Sequence, residues 1–247
     1  MGRTGIIILL FFLVPVLCPA QGRDDYYTVE LEVTYESITR DFLLGKIRYE
    51  ERPDFIVIDK EYTDLSAPNA HIQKRTYNAF IRMYEAALKE GVRLKVTSAS
   101  RNYFIQRIIW EQKWMASSVR EGAGRVKSIL SYNAIPGTSR HHWGTELDFI
   151  SPKLPFWESA YGKKVYAWLK KNAWKYGFYQ PYTACEGRKG YREEKWHWSY
   201  APLSRIYTSA YKQRITREDL KGFAGDKYLD SLNIVEDYVL GLNDPDQ

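Results

Sequence analysis

Three of the chain's four histidines fall in two short segments. The first reads Ser139-Arg140-His141-His142-Trp143-Gly144-Thr145-Glu146-Leu147-Asp148, and the second Glu193-Glu194-Lys195-Trp196-His197-Trp198. Imidazole nitrogens combined with a carboxylate oxygen are the donor set of a catalytic zinc site, which needs three protein ligands and one open position. His141 can sit in a turn that Gly144 permits, and Asp148 then projects from one face of the strand that follows. In the second segment Trp196 and Trp198 alternate with His197, so the indoles can enter the core while the imidazole faces a cleft. Glu194, three residues before His197, can reach a water at such a site if the chain turns there.

Each of these residues also has an ordinary structural reading. A neutral histidine pairs readily with backbone groups, an aspartate serves turns and salt bridges, and a tryptophan-flanked histidine can simply pack. The spacing is not that of a helix with two histidines on one face, and His-x-x-Gly-x-x-x-Asp is a short pattern. His142 competes with His141 as a ligand, and the residues alone do not choose between them.

The elements that must position these groups can be read in outline. Residues 28–35 have strand composition, and Ser37 is a candidate cap for a short helix ending at Gly45. Residues 55–58 are a short apolar strand. Apolar residues at helical spacing predict a helix over 72–88, closed by Gly91. Residues 94–97 read as a strand. Ser100 is a candidate N-cap for a helix reaching about Met115, with Ile105, Ile108 and Ile109 inward. Residues 122–137 read as a loop. Residues 145–150 read as a strand with Leu147 and Phe149 on one face and Glu146, Asp148 and Ile150 on the other. A tryptophan-rich helix over 165–176 ends at Gly177, and a polar loop spans 182–190. A strand over 196–200 and an amphipathic helix over 229–242 complete the chain. Helices before and after a small antiparallel sheet predict an α+β fold, with that sheet carrying the metal site and helices flanking it.

The whole chain constrains its partners. Its 247 residues suit one domain after removal of a leader. The net charge of +6 is spread along the sequence, with no nucleic-acid-binding fingerprint, which argues against a nucleic-acid partner. It suits contact with an anionic polymer such as a cell wall, although a surface of mixed charge reads equally well. The first residues, MGRTGIIILLFFLVPVLCPAQG, carry a positive start, an apolar run and small residues before a cut after Ala20. This is the pattern of a secretory signal over 1–20, with a run too short to span a bilayer. It implies a secreted or periplasmic protein and no transmembrane helix in the mature chain. A lipid anchor at Cys18 is the minority alternative, because Leu17 is larger than such signals usually carry. No disulfide is expected within the mature domain, since Cys185 would have at most Cys18 beside it.

At the residues of the two segments the sequence resembles the VanY-type D-alanyl-D-alanine carboxypeptidases. These zinc peptidases share a metal-site architecture with other murein peptidases and with hedgehog signalling domains. The family's Ser-x-His-x-x-Gly-x-Ala-x-Asp is filled by Ser139, His141, Gly144 and Asp148. Its Glu-x-Trp-His is filled by Glu194, Trp196 and His197. Its Ser-Gly-Tyr-Arg stretch with a following Gln is matched at Ser98, Arg101 and Gln106. The segment ITRDFLLGKI, the Lys89-Glu90-Gly91 helix end and the Lys175-Tyr176-Gly177-Phe178 turn extend the likeness over residues 38–200. The departures are Glu146 where a small residue is usual, Ala99 and Ser100 where Gly and Tyr are, and Lys195 where Pro is common. They leave the substrate in doubt, and an extra carboxylate on the strand face of Asp148 could perturb the site.

The resemblance implies Zn²⁺ held by His141, Asp148 and His197, which selects His141 over His142. It implies Glu194 as base and then acid, Arg101 beside the developing oxyanion, Ser139 on the substrate's terminal carboxylate, and Gln106 in substrate or loop positioning. Against these roles, Arg101 could be only a helix-start cap or salt bridge, and Gln106 only a helix-surface residue. His71 reads as an exposed structural residue and Cys185 as an inert loop thiol. The implied domain is a single zinc peptidase unit over 21–247, with a core at 38–200 and a helical extension at 201–247. The implied reaction is hydrolysis of the terminal D-Ala-D-Ala bond of peptidoglycan stem peptides. The alternatives are a peptidoglycan endopeptidase and a non-catalytic, zinc-containing wall-binding module. Glu194 argues against the last, because a structural metal needs no base.

Overall fold

The computed structural model describes residues 37–64 and 69–243. The leader, Cys18 and the strand expected at 28–35 lie outside the described residues.

Helix α1 (Arg40–Leu43) is capped not by Ser37 but by Thr39, whose hydroxyl accepts from the Phe42 amide at 3.1 Å. Strands β1 (Phe55–Val57) and β2 (His71–Gln73) form an antiparallel ribbon. Ile72, expected to start the next helix, instead pairs with Ile56 in that ribbon. Helix α2 (Lys74–Lys89) buries Phe80, Met83 and Ala87, and Gly91 follows it at φ +70°, where a side chain would be strained. Strand β3 (Val96–Ser98) leads to helix α3 (Tyr103–Ala116).

The cap of α3 is Asn102, two residues later than Ser100. Its inward stripe is Tyr103, Gln106, Trp110 and Trp114, while Ile105 and Ile108 are about half exposed. Both stripes have helical spacing. The one with two indoles buries far more apolar area, and the Gln106 amide within it donates to the Ala134 carbonyl at 2.7 Å. The stretch expected to be a loop contains helix α4 (Ala123–Leu130). Gly122, Gly124 and Ser128 mask its short i, i+3, i+4 stripe of Val126, Ile129 and Leu130.

Strand β4 (Glu146–Phe149) is followed by α5 (Leu154–Glu158) and α6 (Ala160–Asn172), then a 3₁₀ turn at Ala173–Tyr176 that Gly177 closes. Strands β5 (Phe178–Tyr179) and β6 (His197–Tyr200) precede α7 (Ala201–Arg214). The single terminal helix expected at 229–242 is instead a 3₁₀ helix, Asp226–Ser231, and a π turn, Val235–Val239. Leu232 between them is extended, which breaks any continuous helix.

The fold is α+β, as expected. The main sheet runs β3-β4-β6-β5 with every pair antiparallel. Asp148 stands opposite Ser98 on one side and His197 on the other, and Glu146 stands opposite Ser199. Every residue of β4 and β6 is buried, so the sheet centre is covered on both faces. Trp110, Trp143, Trp157 and Phe149 are among the largest fully buried side chains. Among the described residues no helix is long and apolar enough to cross a membrane.

Candidate metal and catalytic site

The turn that enters β4 sets the site. Arg140–Trp143 is one 3₁₀ turn, and Gly144 leaves it at φ +72°. A Cβ on Gly144 would stand 2.4 Å from the Phe55 ring. Gly144→Ala therefore combines a left-handed backbone penalty of about 1–2 kcal/mol with overpacking of about 1–3 kcal/mol. The expected result is a loss of at least about 2 kcal/mol in urea unfolding, from these two terms.

The same turn sends two adjacent histidines opposite ways. His142 Nδ1 lies 2.6 Å from the Arg101 carbonyl, and its Nε2 accepts from the Gly137 amide at 3.1 Å. Both nitrogens are spent on backbone groups, which leaves neither free for a metal. His141 Nδ1 lies 2.6 Å from the Ala99 carbonyl, to which it donates, leaving the Nε2 lone pair facing Asp148 Oδ1 at 3.4 Å. Hydrogen bonds that no sequence spacing displays thus distinguish the two histidines.

Burial pulls His142 down to about 3, against a partial opposing effect of its bond to the Arg101 carbonyl. The unfolded chain takes up a proton near pH 6.5 and the folded chain does not, so stability falls as the pH drops from about 6.5 toward 3. This one group is expected to cost the protein about 2 kcal/mol between pH 6.5 and 5, at about 1.4 kcal/mol per unit. Urea unfolding at the two pH values measures it. A His142→Asn protein should lose that part of the slope.

Three ligand-capable atoms converge. One ligand atom from each of His141, Asp148 and His197 lies within 4.8 Å of the other two, and all three residues are buried. His197 Nδ1 is 3.1 Å from Asp148 Oδ1. Donors placed about 2.1 Å from a tetrahedral zinc stand about 3.4 Å apart, which matches these separations. His141 Nε2 and Asp148 Oδ1 are buried and make no hydrogen bond of good geometry. Two orphaned polar atoms facing each other are what a bound cation would satisfy. The nitrogen-nitrogen-oxygen set suits zinc.

The electrostatics agree. Burial, with Arg101 nearby, holds His141 below its ordinary value and hence neutral. Burial opposes charge on Asp148, yet the two imidazoles hold its carboxyl far below the usual range. Burial also disfavours a charged His197, but the Asp148 and Glu146 carboxylates override it and push the imidazole up to about 10. Without metal, that proton neutralises part of a buried anionic cluster. A metal ion would take its place.

Glu194 comes from the turn into β6. Its amide donates to the Tyr182 carbonyl at 2.9 Å, and its carbonyl accepts from Gln180 Nε2 and the His197 amide. These bonds bring its Oε2 to 3.6 Å from His197 Nδ1. Burial pushes the Glu194 carboxyl up to about 8, with His197 opposing. A dication alongside would pull it back toward ionisation. A carboxylate balanced in this way can accept and return a proton near neutral pH.

A cavity of about 780 Å³ opens over this cluster. Arg101, Ser139, Tyr182, Tyr191, Phe156 and Trp196 are among its walls. The Arg101 backbone amide donates to the His141 carbonyl at 3.1 Å, so its side chain starts beside the ligand, and its Nε is buried without a hydrogen bond. Gln106 does not line the cavity. It supports, through Ala134, a loop that does. It is buried rather than on the helix surface. Tyr182 and Tyr191 were hidden from sequence reasoning, since they flank a stretch with no periodicity. Tyr182 packs on His197 with ring centroids 4.9 Å apart. His71 is half-buried in β2, and Cys185 is exposed, with no disulfide partner among the described residues.

Glu146 is the other residue whose place the sequence did not disclose. It is wholly buried, and its Oε2 lies 2.8 Å from His197 Nε2. Its Oε1 accepts from Thr145 Oγ1 at 3.0 Å and Ser199 Oγ at 2.7 Å, with Arg140 at 3.3 Å. Burial opposes its charge, but Arg140 and His197 hold the carboxyl near 2.

His141 from the 3₁₀ turn, Asp148 from β4, His197 from β6 and Glu194 from the turn before β6 all line one cavity, and two imidazoles with two carboxylates are a donor arrangement that metal-dependent hydrolases use. Comparison with known proteins agrees. The chain belongs to the family described as VanY, D-alanyl-D-alanine carboxypeptidase, whose model matches residues 69–203. It is 30% identical over 154 residues to a Bacillus subtilis protein named "Putative carboxypeptidase YodJ", covering 61% of this chain and 54% of that one. It is 26% identical over 141 residues to the D-alanyl-D-alanine carboxypeptidase of Enterococcus faecalis, covering 56% and 50%. The chain thus spans about half the length of these curated relatives. The fold is similar to that of the LdcB LD-carboxypeptidase, with a TM-score of 0.50, 23% identity, and coverage of 76% of this chain and 81% of that one.

Proposed function

We propose that the chain is a zinc-dependent D,D-carboxypeptidase that removes the terminal D-alanine of peptidoglycan stem peptides. The observation that supports this most is the juxtaposition of a three-donor cluster with the Glu194 carboxyl 3.6 Å from one of its nitrogens. His141, Asp148 and His197 would hold the metal, which when bound supplies Lewis acidity at the scissile carbonyl. Glu194 takes the proton of the attacking water and returns it to the leaving amine. The Arg101 guanidinium stabilises negative charge developing on the carbonyl oxygen. The Ser139 hydroxyl, in the lining of the same cavity, holds the substrate's terminal carboxylate. A donor for that carboxylate in the cavity that holds the cluster is what an exopeptidase requires. Peptidoglycan lies outside the cell membrane, and the secretory pattern of residues 1–20 suits that destination.

Mass spectrometry of purified muropeptides after incubation with the protein tests the reading. Pentapeptide stems are expected to lose one alanine while tetrapeptide stems stay intact. Cleavage of the tetrapeptide alone would indicate L,D-specificity, and a split cross-link would indicate the endopeptidase. An unchanged panel would favour a wall-binding module and defeat the proposal.

A further inference from the structure

We infer that Glu146 is a positioning residue for the metal site, fixing the His197 imidazole with its proton on Nε2 and its Nδ1 lone pair toward Asp148 and His141. The inference rests on the zinc reading above.

Glu146 and Asp148 are two residues apart on β4 and so share a face. Across the strand pair they stand opposite Ser199 and His197. One register therefore places both carboxylates against the same imidazole, Asp148 at Nδ1 and Glu146 at Nε2. The other Glu146 oxygen is surrounded by donors, the hydroxyls of Thr145 and Ser199 and the Arg140 guanidinium. Arg140 is itself wholly buried and bonded to Thr208 Oγ1, Tyr179 OH and Ser199 Oγ at 2.7, 3.1 and 3.0 Å. Facing these donors, Glu146 is purely an acceptor. His197 Nε2 must therefore carry the hydrogen, and only Nδ1 is left for a metal. A ligand histidine whose second nitrogen is anchored to a carboxylate has its tautomer and ring angle set in advance. A buried ion pair is weak evidence of stabilisation by itself, so its retention here needs a reason of this kind.

The test begins with the unmodified protein. Zinc titration against a chromophoric chelator first establishes binding, and failure there sinks the zinc reading rather than this inference. In zinc-loaded, ¹⁵N-histidine-labelled protein, His197 is expected to show a protonated Nε2 and a metal-bound Nδ1. A metal-bound Nε2 would overturn the inference. Glu146→Gln must turn an NH₂ either to His197, forcing the proton onto Nδ1, or to Arg140 and Ser199. Its zinc affinity is expected to fall about 10–100-fold, and its cobalt(II) absorption bands to shift, while the circular dichroism spectrum is retained. The double variant Arg140→Met with Glu146→Ala removes both buried charges together, so no lone charge is left in the core. It too is expected to bind zinc at least tenfold more weakly, the lower end of that range. Wild-type zinc affinity in either folded variant would make Glu146 merely the counter-ion of Arg140 and overturn the inference.

Discussion

Glu194→Gln protein is expected to bind zinc with unchanged stoichiometry and to hydrolyse D-Ala-D-Ala peptides about 10²–10⁴-fold more slowly, the range of a general base. The separation of the two readouts follows from the geometry. Glu194 stands beyond the three converging atoms, reaching His197 Nδ1 only at 3.6 Å while Asp148 sits at 3.1 Å. Gln keeps its size and can still hydrogen-bond, but it cannot accept a proton. The loss should therefore fall on kcat, with KM little changed. Backbone bonds from the Glu194 amide and carbonyl are independent of the side chain, so the turn into β6 should survive. Undiminished turnover in this variant would remove Glu194 from the chemistry. Loss of zinc would place it among the ligands instead.

Removal of the metal by a chelator is expected to abolish hydrolysis, with recovery when zinc is returned. The chain should nonetheless remain folded. Its core of Trp110, Trp143, Trp157 and Phe149 is buried without help from the site, unlike small domains that a metal alone holds together. The metal's contribution is then a ligand-binding increment. At a thousandfold excess over Kd it amounts to about 4 kcal/mol, or roughly 10 °C in melting temperature for a domain of this size. Calorimetry with and without chelator measures it. Full activity after verified metal removal would exclude a metallopeptidase, and complete unfolding would mean that the metal is structural.

The candidate ligand residues were legible because their chemistry is rare in this chain. With four histidines in 247 residues, two unusual segments stand out. Strands β4 and β6 were legible for the same local reason, alternation of large apolar groups with Asp148 and His197. What stayed hidden depends on partners distant in sequence. His142 has both ring nitrogens occupied by the Arg101 carbonyl and the Gly137 amide. Glu146, read as a departure that could disturb the site, is instead bonded to His197 and surrounded by donors from β6 and Arg140. The inward face of α3 was misread because two apolar stripes share helical spacing, and only packing chooses between them. Helix α4 was missed because glycines lower its propensity, and its short apolar stripe acquires meaning only once neighbours cover it.

Strands β4 and β6 lie side by side, but the chain between them makes a long excursion through α5, α6 and β5 before returning. Asp148 and His197 meet only when that excursion closes, after its loop entropy has been offset by other contacts. Sites built from such distant pairings form late and slowly in folding. The three converging atoms are therefore expected to come together late on the way to the native chain. Refolding from urea should proceed at the same rate whether zinc is present from the start or added at the end. A metal ion arriving early would find separate residues and no pocket.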